Sequence, residues 1–260
     1  MARSAPTEPP PDRPPDGEER GEKYLTLIEH LQELRYRLTV SAIAVAVGLA
    51  VSFYFSGSVI DFLRQPAEDK SDKFKLIFTS PFENFTAYFK VSLVCGLGLA
   101  MPVIVYQALR FVSPGLKAGE RRWLYFTAGG AAVLFAAGVA FAYYIALPPA
   151  LDFLLNFHSD LAEPNIRISS YIDFVTRLLF WTGVAFETPI VVMFLARFRV
   201  VSAGQLLRWW RYAIVLAFII AAIVTPTPDP VTCTFVAAPI IGLYFVGVVL
   251  AWLVRPVRPA

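Results

Sequence analysis

Glu187 stands in the run GVAFETPIVV (183–192), ten residues before Arg197 and enclosed by apolar side chains. On a bilayer-spanning helix its carboxyl group lies roughly 15 Å above the nearer edge, at about 1.5 Å per residue. A charged, unpaired acid at that depth costs several kcal/mol, which makes the position a functional-site candidate by default. The structural alternative is a protonated acid hydrogen-bonded inside a bundle, beside a kink at Pro189. Two further acids lie near charged boundaries. In LIEHLQELRYRL (27–38), leucines 27, 31, 34 and 38 mark an amphipathic helix. Glu29, Glu33 and Arg37 follow one another at four-residue steps on another face. Either they form a solvated face whose pairing contributes a few tenths of a kcal/mol, or a carboxylate at the membrane surface accepts a cationic guest. Glu120 follows the turn Ser113-Pro114-Gly115 and sits near a helix start, where an acid complements the helix dipole. Asp173 and Arg177, four apart, are expected to form a local ion pair, and Lys90 to snorkel outward.

The elements that must position these residues are membrane helices. Hydrophobic residues make up 57% of the 260, charged ones 17%, and the mean hydropathy is +0.57. A soluble domain of this size carries about 25% charged residues. Six apolar segments follow one another: Leu38–Phe55, Phe85–Leu109, Trp123–Leu147, Tyr171–Ala196, Trp210–Val224 and Val231–Val254. The third is expected to stop at Pro148 and Pro149. The fifth has 15 residues, fewer than the roughly 17 of a full span, which implies thinned bilayer or shelter by neighbouring helices. The fold class is therefore all-α, a polytopic membrane protein with six transmembrane helices.

Charge sets the orientation. With the N-terminus inside, 16 of the 23 Lys and Arg fall in cytoplasmic segments and 5 in outer ones (Arg64, Lys70, Lys73, Lys75, Arg167). Lys90 and Arg177 lie within spans. The expected topology is N-in and C-in. Residues 1–23 form an acidic, Pro-rich tail that cannot bury a core, so a disordered cytoplasmic segment precedes a membrane domain over 24–256. The tail has no apolar stretch of the kind a cleavable secretory signal needs. The loop 56–84 contains VIDFLRQP and the loop 148–170 contains LDFLLNF, each suited to a short helix on the outer surface.

Catalytic chemistry finds no support. Cys95 and Cys233 sit singly in apolar runs and read as packing residues. His30 and His158 lie near membrane edges without a zinc-ligand or nucleophile–base pattern. No Gly-rich phosphate loop is present, and nothing suggests a nucleic-acid surface or a cofactor. A solute transporter using Glu187 as a proton or cation site is the alternative to a binding protein. It should show an internal repeat or paired interrupted helices, and no convincing repeat is seen. A membrane enzyme ranks third.

Taken in order, HLQELRYR (30–37), SPFENF (80–85), MPVIVYQALRFVSPGLKAGERR (101–122), FAYY (141–144), FETPIVV (186–192), WRYAIV (210–215) and TPTPDP (225–230) resemble the TatC family, the integral receptor subunit of the twin-arginine protein translocase. The likeness covers nearly the whole chain after residue 24. It departs in the longer tail and in Trp210, where a basic residue is common. It implies a six-helix, cup-shaped bundle in a prokaryotic cytoplasmic membrane, driven by the proton-motive force. Glu33 and Glu120 match acidic positions that bind the Arg-Arg pair of signal peptides on folded precursors, with Arg35, Phe111, Pro114 and Leu116 in the surrounding motifs. A guanidinium offers a planar fork that a carboxylate grips bidentately, whereas an ammonium is a point charge. Glu187 and Pro189 match the position that meets a polar residue of a single-span partner of the TatA or TatB type. The resemblance also leaves room for a homo-oligomer within the complex.

Overall fold

The computed structural model describes residues 27–68, 75–77, 79–112, 121–156, 165–198, 200–225 and 230–254. Helix α1 runs Leu27–Glu68, α2 Glu83–Val112 and α3 Arg121–Phe141. A π-helical turn, Ala142–Ala146, joins α3 to α4, Leu147–Asn156. Then follow α5 Ile168–Phe186, α6 Thr188–Arg197, α7 Ala203–Arg208, α8 Trp210–Val224 and α9 Pro230–Leu253. Among the described residues, five stretches are long and apolar enough to cross a membrane, and α8 is a shorter apolar sixth. Large apolar side chains face outward along them, such as Val133, Ile223 and Trp252, as lipid-facing helices require.

Three sequence expectations need correction. The first span was expected to end near Phe55, with a separate surface helix beyond. Instead α1 is one helix of 42 residues that carries VIDFLRQP straight on from the span. It does so despite Pro66, whose missing N–H leaves the carbonyl four residues back without its usual donor. That carbonyl is Phe62 O, and the Tyr143 hydroxyl donates to it at 2.7 Å. Tyr171 donates to the next carbonyl, Leu63 O, at 2.6 Å. Tertiary contacts thus supply what the proline removes.

Likewise, Pro148 and Pro149 do not stop the third span. They follow directly on the π-helical turn, and the helix runs on through them into α4. The preceding turn widens so that Leu147 N–H reaches back five residues to Ala142 O. The apolar helical stretch therefore extends from Leu124 to Leu154.

The third correction concerns charge pairing. Asp173 does not pair with Arg177. Lys90 of α2 donates to both Asp173 oxygens, at 2.6 and 2.9 Å. The ammonium bridges α2 and α5 rather than snorkelling outward.

Packing is closest where side chains are smallest. A Cβ on Gly48 would lie 2.5 Å from Gly96 O, so α1 and α2 touch backbone to backbone. Between α3 and α5, a Cβ on Gly138 would lie 2.8 Å from Gly183 Cα. Small residues allow such approach in lipid, where dispersion contacts largely drive helix association. The main core gathers α1, α2, the π-helical turn, α4, α5, α8 and α9 toward the outer-loop end. Two small clusters serve the opposite, arginine-rich end. A short parallel pairing adds to the outer end: β1, Lys75–Ile77, lies beside β2, Asn165–Arg167, with Lys75 opposite Asn165. Neither strand was foreseen.

Candidate functional site

At the arginine-rich end, the first turns of α1 pack beside the last turns of α2. Glu33 and Arg37 are one turn apart, so their side chains meet on one face. Arg37 donates to Glu33 Oε1 from Nη2 at 2.6 Å and from Nε at 3.2 Å. Its Nη1 donates to Gln107 Oε1 of α2 at 2.9 Å. Arg37 is buried, at 8% exposure, whereas the Glu33 side chain keeps 21%. A buried guanidinium with one carboxylate and one amide is well satisfied, and it fixes where that carboxylate stands. Both of these bonds fall on Oε1, so Arg37 does not engage Oε2.

Phe111 lies beside this pair. Its ring stacks on His30, one turn before Glu33, with centroids 4.4 Å apart and planes at 20°. Arg35 is exposed on α1. The structure therefore brings Glu33, Arg37, Gln107, His30 and Phe111 together, with Arg35 on the same stretch of α1. Glu120, Pro114 and Leu116 lie outside the described residues. Gln107 was missed in the sequence. Its signal was an amide inside an apolar run, which composition flags but does not pair.

Glu187 occupies a second position, the joint between α5 and α6. Pro189 removes the donor for Ala185 O, and the Thr188 hydroxyl donates to that oxygen instead, at 2.6 Å. The helix breaks there, with Glu187 N–H donating to Val184 O at 3.0 Å. Glu187 is 5% exposed, and neither carboxylate oxygen has a hydrogen-bond partner among the described residues. Among the described residues, the hydrogen bond that the structural alternative calls for is not made. Pro189 is fully buried and packs close to α9, where a Cβ on Gly247 would lie 3.1 Å from Pro189 Cα. Among the described residues no group of His, Cys, Asp or Glu has metal-site geometry.

Fold and sites together define a multi-span helical membrane protein with one carboxylate anchored at its arginine-rich end and another buried at a helix joint. Residues 29–239 match the family model of the Sec-independent protein translocase protein TatC. The chloroplastic Sec-independent protein translocase protein TATC of Arabidopsis thaliana is 39% identical, over 94% of this chain and 75% of its own length. The Sec-independent protein translocase protein TatC of Aquifex aeolicus is 40% identical, over 87% of this chain and 94% of its own. A crystal structure of the twin-arginine translocase receptor TatC superposes with TM-score 0.76 at 40% identity, covering 87% of this chain and 99% of the other. The chain belongs to the TatC family. It is a protein-translocase subunit, and not an enzyme.

Proposed function

We propose that this chain is the signal-peptide receptor of a twin-arginine translocase in a prokaryotic cytoplasmic membrane, with both termini in the cytoplasm. The observation that carries this is the Glu33–Arg37–Gln107 cluster. A partly exposed carboxylate at the arginine-rich end is held at a fixed position by a buried guanidinium, which engages only one of its oxygens. The other oxygen accepts one arm of an incoming guanidinium. Glu120, from the segment after α2, would take the second arginine, and Arg35, Phe111, Pro114 and Leu116 would frame the peptide. A lysine pair gains less, because an ammonium lacks the planar fork. The reading rests on the family and on this local geometry together.

We further infer that Glu187 and Pro189 form the docking position for single-span subunits of the TatA or TatB type. A carboxylate buried without a partner gains from a polar side chain that packs in to reach it, by about 0.6–2 kcal/mol in model systems. Folded precursors would then cross with energy from the proton-motive force.

The decisive experiment is equilibrium binding of a twin-arginine signal peptide to the purified protein in detergent, against its Lys-Lys version. Wild type should prefer Arg-Arg by tenfold or more, and Glu33→Gln and Glu120→Gln should each remove most of that preference. Equal binding of the two peptides, unchanged in both variants, would refute the receptor assignment.

A further inference from the structure

A cleft of about 740 Å³ opens between α1, α2, α3 and α5. Its wall is almost wholly apolar, with Phe55 of α1, Leu99 of α2, Val139 of α3 and Phe180 of α5 among the lining residues. Phe55 and Leu99 are more than half exposed, so the cleft opens sideways onto lipid. Water gains nothing in such a space, and its size chooses among apolar occupants. Clefts of about 300–1,000 Å³ suit a small amphiphile.

Charge identifies the other half of that amphiphile. Lys90 is one turn from the lining residue Val94, and Asp173 three residues from the lining residue Thr176. These two charges cancel in their ion pair. Arg177 follows Thr176 directly and lies three residues before Phe180, on the exposed flank of α5 beside the cleft's edge. It is exposed and makes no ion pair or hydrogen bond among the described residues. Counted from Ile168, where α5 begins, Arg177 is about 14 Å down the helix. A guanidinium there reaches up toward the headgroups on its long stem and requires an anion.

We propose that the cleft binds one anionic phospholipid from the leaflet on the outer-loop side, an acyl chain in the cleft and the phosphate on Arg177. The guanidinium grips a phosphate bidentately, and the apolar wall replaces lipid tails at no cost in desolvation.

The test is lipid retention by the full-length protein in detergent, read by native mass spectrometry. Phosphatidylglycerol and phosphatidylcholine of identical chains are titrated separately. Wild type should hold phosphatidylglycerol about fivefold tighter, the factor one basic residue contributes near an anionic surface. Arg177→Gln should abolish that preference, and Val139→Trp should weaken both lipids by filling the cleft. Leu99→Trp, at a more exposed lining position, serves if Val139→Trp fails to fold. Equal retention of the two lipids by wild type, or a preference that survives Arg177→Gln, would overturn the proposal.

Discussion

Arg37 of α1 and Gln107 of α2 are joined by a 2.9 Å hydrogen bond between side chains 70 positions apart in sequence. Arg37 is thereby shared between its own helix, through Glu33, and the neighbouring one. Removing the amide should loosen the carboxylate without touching it. Gln107→Leu should destabilise the protein by about 1–3 kcal/mol, because a charged donor loses its buried acceptor. It should also weaken Arg-Arg peptide binding severalfold while leaving the weaker Lys-Lys binding nearly unchanged. Thermal unfolding and peptide titration on one preparation check both. A variant with normal stability and normal binding would show that the amide positions nothing.

Pro66 and Tyr143 should be energetically coupled. Tyr143→Phe strands Phe62 O, at a cost of about 1–2 kcal/mol. In a Pro66→Ala background the alanine N–H supplies that carbonyl, so the same change should cost markedly less. A double-mutant cycle should give a coupling of at least about 0.5 kcal/mol, and additive effects would contradict the assignment.

Gly183 leaves room for Phe135. A Cβ there would come within 2.7 Å of the Phe135 ring, which is buried at 7% exposure. Gly183→Ala should therefore destabilise by about 1–3 kcal/mol through overpacking. Shortening the opposing ring by Phe135→Leu should recover part of the loss. A neutral Gly183→Ala would mean that α3 and α5 separate more easily than their contact implies.

Glu187 sets stability against assembly. Its two oxygens are buried without a partner among the described residues, which costs folding energy. Glu187→Leu should raise the stability of the isolated protein, by about 1 kcal/mol or more. The same change should lower the amount of single-span subunit that co-purifies with it. Denaturation in detergent and quantitative pull-down separate the two effects. A variant less stable than wild type would point to a partner for the acid within the chain.

Hydropathy alone made the membrane spans legible, because roughly 20 apolar residues in a row leave few alternatives. Even the short fifth segment, Trp210–Val224, has the bounds the sequence suggests. What stayed hidden was every place where a distant residue overrides a local rule. VIDFLRQP reads as a separate surface helix, yet α1 runs on through Pro66, whose missing donor Tyr143 replaces. Asp173 has Arg177 one turn away, yet Lys90 takes it from another helix. The Glu33–Arg37 pair was visible as a spacing, but Gln107 was not, since a lone amide gives no hint of its partner. Strands of three residues carry too little pattern to be read at all.

Those two strands carry a consequence for how the chain is made. Lys75 and Asn165 face each other across a parallel pairing, yet α2, α3 and α4 are synthesised between them. A chain emerging from its N-terminus must therefore place the first three spans before β1 has anything to pair with. The long closure makes this contact a late one, and it leaves β1 a free edge in the interval. The small sheet is then a closing stitch, formed only when the start of the fourth span arrives.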